Sequence, residues 1–260
     1  MIPPLDWIYT YAPAALAVWH GQSPYSVPIF FAAPWATLPL IPFAIMPFAI
    51  GRWCLLITGL CAYALIAYRL GAKPLIMAFI LLSYPVLSDI ANGNIEWMPM
   101  LGFIFPPQIG LIFVLIKPQV GIGIAIYWFV EAWREGGIRQ IARTFSIVIV
   151  LYLISFALYG FWPLYFRNTL TLAEQTQSTL GLNYNSSLWP LGSIIGLALM
   201  VKSIIAKTKH LSIMASPFLS PYALIATYGT SLLALCDTPW IFIVAWLLTW
   251  FPAVLKLLPK

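Results

Sequence analysis

A lysine at position 117 stands in Leu115-Ile116-Lys117-Pro118-Gln119-Val120-Gly121, with apolar sequence on both sides. An ammonium in such surroundings pairs with a counter-charge or lines a wet cavity, unless its stem carries it to an interface. Pro118 removes a helix hydrogen bond at the same point and opens backbone beside the charge. An anionic phosphate held outside the membrane would suit that combination. Three polar clusters could work with it. The first, within 6–30, holds Asp6, Tyr9, Tyr11, His20, Gln22, Ser23 and Tyr25, interleaved with Trp7 and Trp19. The second is Asp89, Asn92, Asn94, Glu96 and Trp97; the third runs from Arg167 through Glu174, Gln175, Gln177 and Asn183 to Asn185, Ser186 and Ser187. A carboxylate at an apolar margin is poorly solvated, its pKa rises, and it can act as a general base. The same residues also suit interfacial charges or helix caps, and the aromatics between them suit an interfacial belt.

Other chemistries lack their residues. There is no P-loop, GxSxG or HExxH pattern, and no Cys/His spacing for a metal, so no metal site is expected. The three cysteines include no CxxC; Cys54 and Cys61, seven apart in one apolar run, share a helix face. Gly192-Ser193-Ile194-Ile195-Gly196 is a small-xxx-small pattern that predicts helix packing. Asn185-Ser186-Ser187 fits a glycosylation sequon, a pattern common by chance.

The elements that must position these groups follow from composition. Of 260 residues, 62% are hydrophobic and 8% charged, and the net charge is +6; mean hydropathy is +0.92. A soluble domain carries about 25% charged residues, so a soluble enzyme, a nucleic-acid binder and a disordered chain are excluded. Residues 1–6 lack the basic region and long apolar core of a cleavable signal peptide. Apolar segments fall at 35–50, 53–69, 74–88, 98–116, 118–131, 144–162, 188–202, 211–235 and 239–255. Pro39, Pro42 and Pro47 make the first a broken or re-entrant element, and Pro106-Pro107 and Lys117-Pro118 interrupt the stretch 98–131.

Charge gives the sidedness. Residues 1–30, 84–97, 163–187 and 236–239 hold five acids and one base, whereas 69–73, 131–143, 202–210 and 256–260 hold ten bases and two acids. The two sets alternate along the chain, so the positive-inside rule puts the basic set in the cytoplasm. The expectation is an all-α, polytopic transmembrane helical bundle of about seven to nine helices, some short and broken. It forms a single integral membrane domain over 1–260, with 1–34 an outer loop carrying short helices and 35–260 the bundle. In a multi-pass protein of the cell membrane so oriented, residues 1–30 are extracytoplasmic and the C-terminus is cytoplasmic. The stretch 131–143 reads as a solvated cytoplasmic connection with a Glu135/Arg139 pair at i,i+4.

Several outer-side motifs, taken in order, resemble one family. Asp6-Trp7-Ile8-Tyr9 with Ala12 and Ala14-Ala15, then Gly21-Gln22-Ser23-Pro24-Tyr25 and Ala33-Pro34-Trp35, resemble the first outer loop of the family-87 glycosyltransferases, polytopic enzymes of the GT-C class. Asn92-Gly93-Asn94 is similar to the family's Gly-Gln-x-Asn region, and Lys117-Pro118 to its Lys-Pro break. Asn185-Ser186-Ser187-Leu188 is similar to its Asn-Gln-Ser-Leu, and Ser216-Pro217 to Ser220-Pro221-Tyr222 to its late Ser-Pro motif. Family members normally carry a transmembrane helix ahead of the first aspartate; here five residues precede Asp6. The second motif has Asn-Gly for Gly-Gln, and Tyr-Pro-Pro is replaced by Ala-Pro-Trp.

The resemblance implies a GT-C-like architecture and transfer of a sugar, typically mannose, from a polyprenyl-phosphate donor to a lipid or glycan acceptor on the outer face. No cofactor is implied, because the lipid-linked sugar is a substrate, and neither a nucleotide sugar nor an obligatory metal is expected. On the matching positions Asp6 would be the general base, Lys117 would neutralise the departing donor phosphate, and Asn94 and Asn185 would bind sugar or phosphate oxygens. Tyr9 and Gln22 join them as substrate-binding candidates. The expected partners are membrane lipids, the polyprenyl-phosphate sugar and other membrane proteins. The competing expectation is a non-catalytic integral membrane subunit or scaffold of a larger complex, its aromatic faces holding lipids, pigments or partner helices.

Overall fold

The computed structural model describes residues 3–27, 29–166 and 185–257, and among them every regular element is helical. The chain opens with a π-helical turn, Trp7–Tyr11, that runs into α1, Ala12–Trp19. A 3₁₀ turn at Pro24–Ser26, a second at Pro34–Leu40 and the single turn α2, Ile41–Ala44, follow. The prolines at 39, 42 and 47 therefore do what their missing N–H groups predict: no continuous helix forms over 35–47. This first segment carries short helices and packs inward: Trp7, Tyr11, Ala14, Ala15 and Leu40 are buried in the main core. An aromatic cluster fastens it further. The buried Trp162 stacks on Tyr25 at 5.8 Å and on Tyr152 at 5.4 Å between ring centroids.

The long elements come next: α3, Phe48–Arg69; α4, Pro74–Leu81; α5, Tyr84–Asn92; and the short α6, Trp97–Leu101. Helix α7, Pro107–Val114, starts at the Pro106-Pro107 break, and α8, Pro118–Tyr159, starts at the Lys117-Pro118 break. Both starts were legible from proline's fit to the first turn. Helix α9 is Leu191–Ala206, α10 Lys209–Leu219, α11 Gly229–Ala234 and α12 Pro239–Leu257. The glycines of the small-xxx-small pattern do serve packing: an added Cβ at Gly196 would lie 2.9 Å from the Leu219 side chain of α10.

The connection expected at 131–143 is present but far shorter than a solvated loop. Helix continues through it on both sides and breaks only at Gly136 and Gly137, where Gly137 adopts φ +58. The Phe129 and Phe145 rings are 6.0 Å apart, whereas sixteen residues of unbroken helix would separate them by about 24 Å. The chain therefore reverses on two glycines, giving antiparallel arms of about 27 and 33 Å over 118–135 and 138–159. The same reversal removes the expected Glu135/Arg139 pair, which needs continuous helix; Gln140 Nε2 donates to Glu135 Oε2 at 3.2 Å instead.

By length and composition, α3 and α8 are apolar enough to cross a membrane, as is the α4–α5 pair if its 51° bend lies within one span. The surfaces agree. Trp53 and Ile57 on α3, Leu153 and Ile154 on α8, Ile194 and Val201 on α9 and Leu247 and Leu248 on α12 all face outward, while Asp89, Asn94, Glu96 and Lys117 are buried. Apolar residues outside and charges inside suit a hydrocarbon surrounding.

Candidate functional site

Four local features deliver the buried charges to one place. The π turn brings side chains five apart to one side, so Asp6 at its N-terminal edge and Tyr11 at its end both reach Asn94. Helix α5 ends at Gly93 in the left-handed region, φ +69, which turns the chain sharply between Asn92 and Asn94. An added Cβ there would stand 2.6 Å from the Trp7 Cβ, so the turn also lies flat against the N-terminal segment. Lys117 precedes Pro118 in extended backbone, as a residue before proline prefers, and so projects at the break between α7 and α8. The passing N-terminal segment locks that break: Ala33 N donates to Ile116 O at 2.9 Å.

The contacts form one chain of hydrogen bonds. Lys117 Nζ donates to Glu96 Oε1 at 2.7 Å and to Asn94 Oδ1 at 2.6 Å. Asn94 Oδ1 also accepts from Tyr11 OH at 3.0 Å and from Ile95 N at 2.6 Å. With three donors on its oxygen, the Asn94 amide has a single sensible orientation, and its Nδ2 donates to Asp6 Oδ2 at 2.7 Å. The Tyr11 ring lies below the ammonium, 5.3 Å from Nζ to centroid. Behind Lys117, Glu96 Oε2 accepts from Thr227 Oγ1 at 3.2 Å. Further in, Asp89 accepts from Glu96 N at 3.2 Å and from Tyr63 OH at 2.8 Å.

Solvent reaches this set from one end. Lys117 is 2% exposed and Glu96 0%, whereas Asp6 is partly exposed. Burial pushes the Asp6 carboxyl up to about 6, against the pull of the Lys117 charge and the Asn94 amide. A carboxyl so placed exchanges its proton near neutrality and keeps one oxygen free of Asn94. That is the equipment of a general base. No group of three or more metal-ligating side chains occurs among the described residues.

The candidates divide accordingly. Asp6, Asn94 and Lys117 meet in one network, although 88 residues separate the first two. Tyr9 is 61% exposed and Gln22 is exposed, and neither joins the network. Asn185 lies outside the network: its Nδ2 donates to Pro221 O at 3.1 Å, and its Oδ1 accepts from Ser187 N and Ala223 N. It clamps the segment that leads to Thr227. Residues 167–184 of the third polar cluster lie outside the described residues. Sequence reasoning passed over Glu96 as partner of Lys117, and Thr227 and Tyr63 altogether. Glu96 carried a signal, a carboxylate between Ile95 and Trp97; Thr227 carried none. Comparisons of the chain with protein-family models, with curated proteins and with solved structures find no match.

Proposed function

We propose that this chain is a multi-pass membrane glycosyltransferase of GT-C-like architecture that moves a sugar from a polyprenyl-phosphate donor to an acceptor hydroxyl on the outer membrane face. The observation that carries this reading is the Asp6–Asn94–Lys117 chain: a partly exposed carboxylate, poised near neutral pH, held by an amide that a buried ammonium orients. Asp6 takes the proton of the acceptor hydroxyl as its oxygen attacks the anomeric carbon; the bond to the donor phosphate breaks, and the phosphate leaves as an anion with inversion at carbon. Lys117 acts on Asp6 through Asn94 and through its field. Direct contact with the donor phosphate requires the Glu96 carboxylate to move aside. The ordered motifs shared with family-87 glycosyltransferases support the same assignment, as does the placing of residues 1–30 on the less basic side.

The test is transfer of radiolabelled sugar from polyprenyl phosphate in membranes that contain the chain. Asp6→Asn keeps the shape and loses the base, so turnover should fall about 10²- to 10⁴-fold. Unchanged turnover removes Asp6 from the mechanism. One observation favours a non-catalytic membrane subunit instead: Lys117 is already fully paired inside the protein, as a structural ion pair would be. On that reading wild-type membranes transfer no sugar above background.

A further inference from the structure

The basic end of the molecule presents a second, independent arrangement. Arg134, at the end of the first arm of α8, donates from Nη1 to Ile204 O at 2.8 Å and to Glu131 Oε1 at 2.9 Å. The first contact fixes the C-terminal end of α9 against the tip of the α8 hairpin. Lys202 and Lys207 flank that carbonyl by two and three residues, and Arg139 and Arg143 follow the Gly136-Gly137 turn one helical turn apart. All four are exposed. The acids nearby are engaged: Glu131 holds Arg134, and Glu135 accepts from Gln140. Among the described residues, none of the four cations has a carboxylate partner. Arg139 and Arg143, like charges at i,i+4, repel each other unless an anion lies between them. Interspersed with the cations are Trp133, Ile138 and Ile205, exposed by 59%, 70% and 76%. An indole and two branched aliphatic chains beside unpaired cations match the depth at which lipid headgroups meet acyl chains.

We propose that this rim, formed by the hairpin tip of α8 and the end of α9, binds the phosphate-bearing headgroups of anionic phospholipids. The cations take the phosphate, and Trp133, Ile138 and Ile205 sit against the upper acyl chains. A free phosphate would satisfy the cations and leave the three apolar side chains in water, which is why a lipid is the better fit.

The experiment uses the full chain in nanodiscs with equal phosphatidylglycerol and phosphatidylcholine, the bound lipid being counted by native mass spectrometry after release. Each basic residue near an anionic surface strengthens binding by on the order of fivefold. Wild type should therefore retain phosphatidylglycerol over phosphatidylcholine by about tenfold or more, and Arg139→Gln with Arg143→Gln should cut that preference several-fold. Lys202→Gln with Lys207→Gln should do the same, and either pair serves if the other fails to fold. Arg139→Lys with Arg143→Lys should retain the preference. Arg69→Gln with Lys73→Gln, which removes equal charge outside the rim, should cut it by less than either rim pair. Equal retention of the two lipids by wild type overturns the proposal, as does an equal loss in the Arg69/Lys73 variant. Complete displacement by millimolar inorganic phosphate also overturns it, by identifying a free-anion site.

Discussion

Among the described residues, two acid–base pairs of nearly equal length lie in opposite environments. Lys117 and Glu96 meet at 2.7 Å with side chains 3% and 0% exposed; Arg134 and Glu131 meet at 2.9 Å with side chains 42% and 25% exposed. Distance therefore says little about what each pair does. The buried pair has lost its water, so each partner depends on the other and on Asn94 and Thr227 for solvation. The exposed pair keeps its water, and its guanidinium divides itself between Glu131 and a helix-end carbonyl. Charge in the first place organises neighbours; in the second it remains available to whatever lies outside.

The sharpest way to break this comparison is to remove one partner from the buried pair. Lys117→Met leaves Glu96 as an uncompensated buried charge and should cost about 3–5 kcal/mol of unfolding free energy, measured by denaturant titration in detergent. Adding Glu96→Leu should recover most of that loss, because two apolar groups of similar volume replace a desolvated pair without penalty. Failure of the double variant to recover would mean that the ammonium mainly supports Asn94 and Tyr11. Next in size is Gly93→Ala. The left-handed backbone costs about 1–2 kcal/mol for an L side chain, and the new methyl group meets Trp7. The loss should appear as lower stability together with a weakened Asp6–Asn94 contact. The conservative probe is Gly93→Asn, which tolerates the backbone but not the space.

The acidity of Asp6 sharpens the comparison without breaking it. In the folded chain its carboxyl titrates near 6, compared with 3.8 ordinarily, so the folded state binds the proton more tightly. Stability contributed by Asp6 is therefore present below about pH 4 and lost as pH rises through 4 to 6, levelling above that. A carboxylate held only by a salt bridge would show the reverse slope. Activity under the proposed mechanism should rise through the same window, with its acid limb near pH 6. Because the Lys117 charge lowers the Asp6 value, Lys117→Met should move that limb to higher pH; carbonyl-stretch infrared titration of Asp6 against Asp6→Asn reads the shift without any substrate.

How much of this could be read in advance depended on whether the cause was local. The proline breaks at 106–107 and 118 were legible because a missing N–H acts within one turn. Lys117 was legible because a charge amid apolar sequence has few permitted fates, and Asp6 because a carboxylate at an apolar margin has few others. That the two meet through Asn94 needed the N-terminal segment to fold back across 88 residues, which no periodicity records. Glu96 was visible as a carboxylate, yet its pairing with Lys117 is purely tertiary. Asn185 is a different case. Its ligand role was implied only by the family resemblance, and its bonds to the backbone of Pro221 and Ala223, 36 and 38 residues on, are tertiary contacts that no local pattern records. The reversal in α8 was legible as a connection between two apolar segments, but its brevity was not: helix formers on both sides need only one left-handed residue to reverse direction.

The smallest effect tests the other half of the comparison. Glu131→Gln removes the carboxylate from an exposed i,i+3 pair whose arginine retains the Ile204 carbonyl. Its cost should be under about 1 kcal/mol and should vanish by 0.5 M salt, since screening at that strength is effective within a few ångströms. Lys117→Met should lose as much at high salt as at low, because ions do not enter the core that holds it. The informative result is thus the ratio of the two losses across a salt series, not either loss alone. A Glu131→Gln cost that persisted at high salt would mean that the hairpin tip is shielded from water, and the contrast between the buried Lys117–Glu96 pair and the exposed Arg134–Glu131 pair would fail at its exposed end.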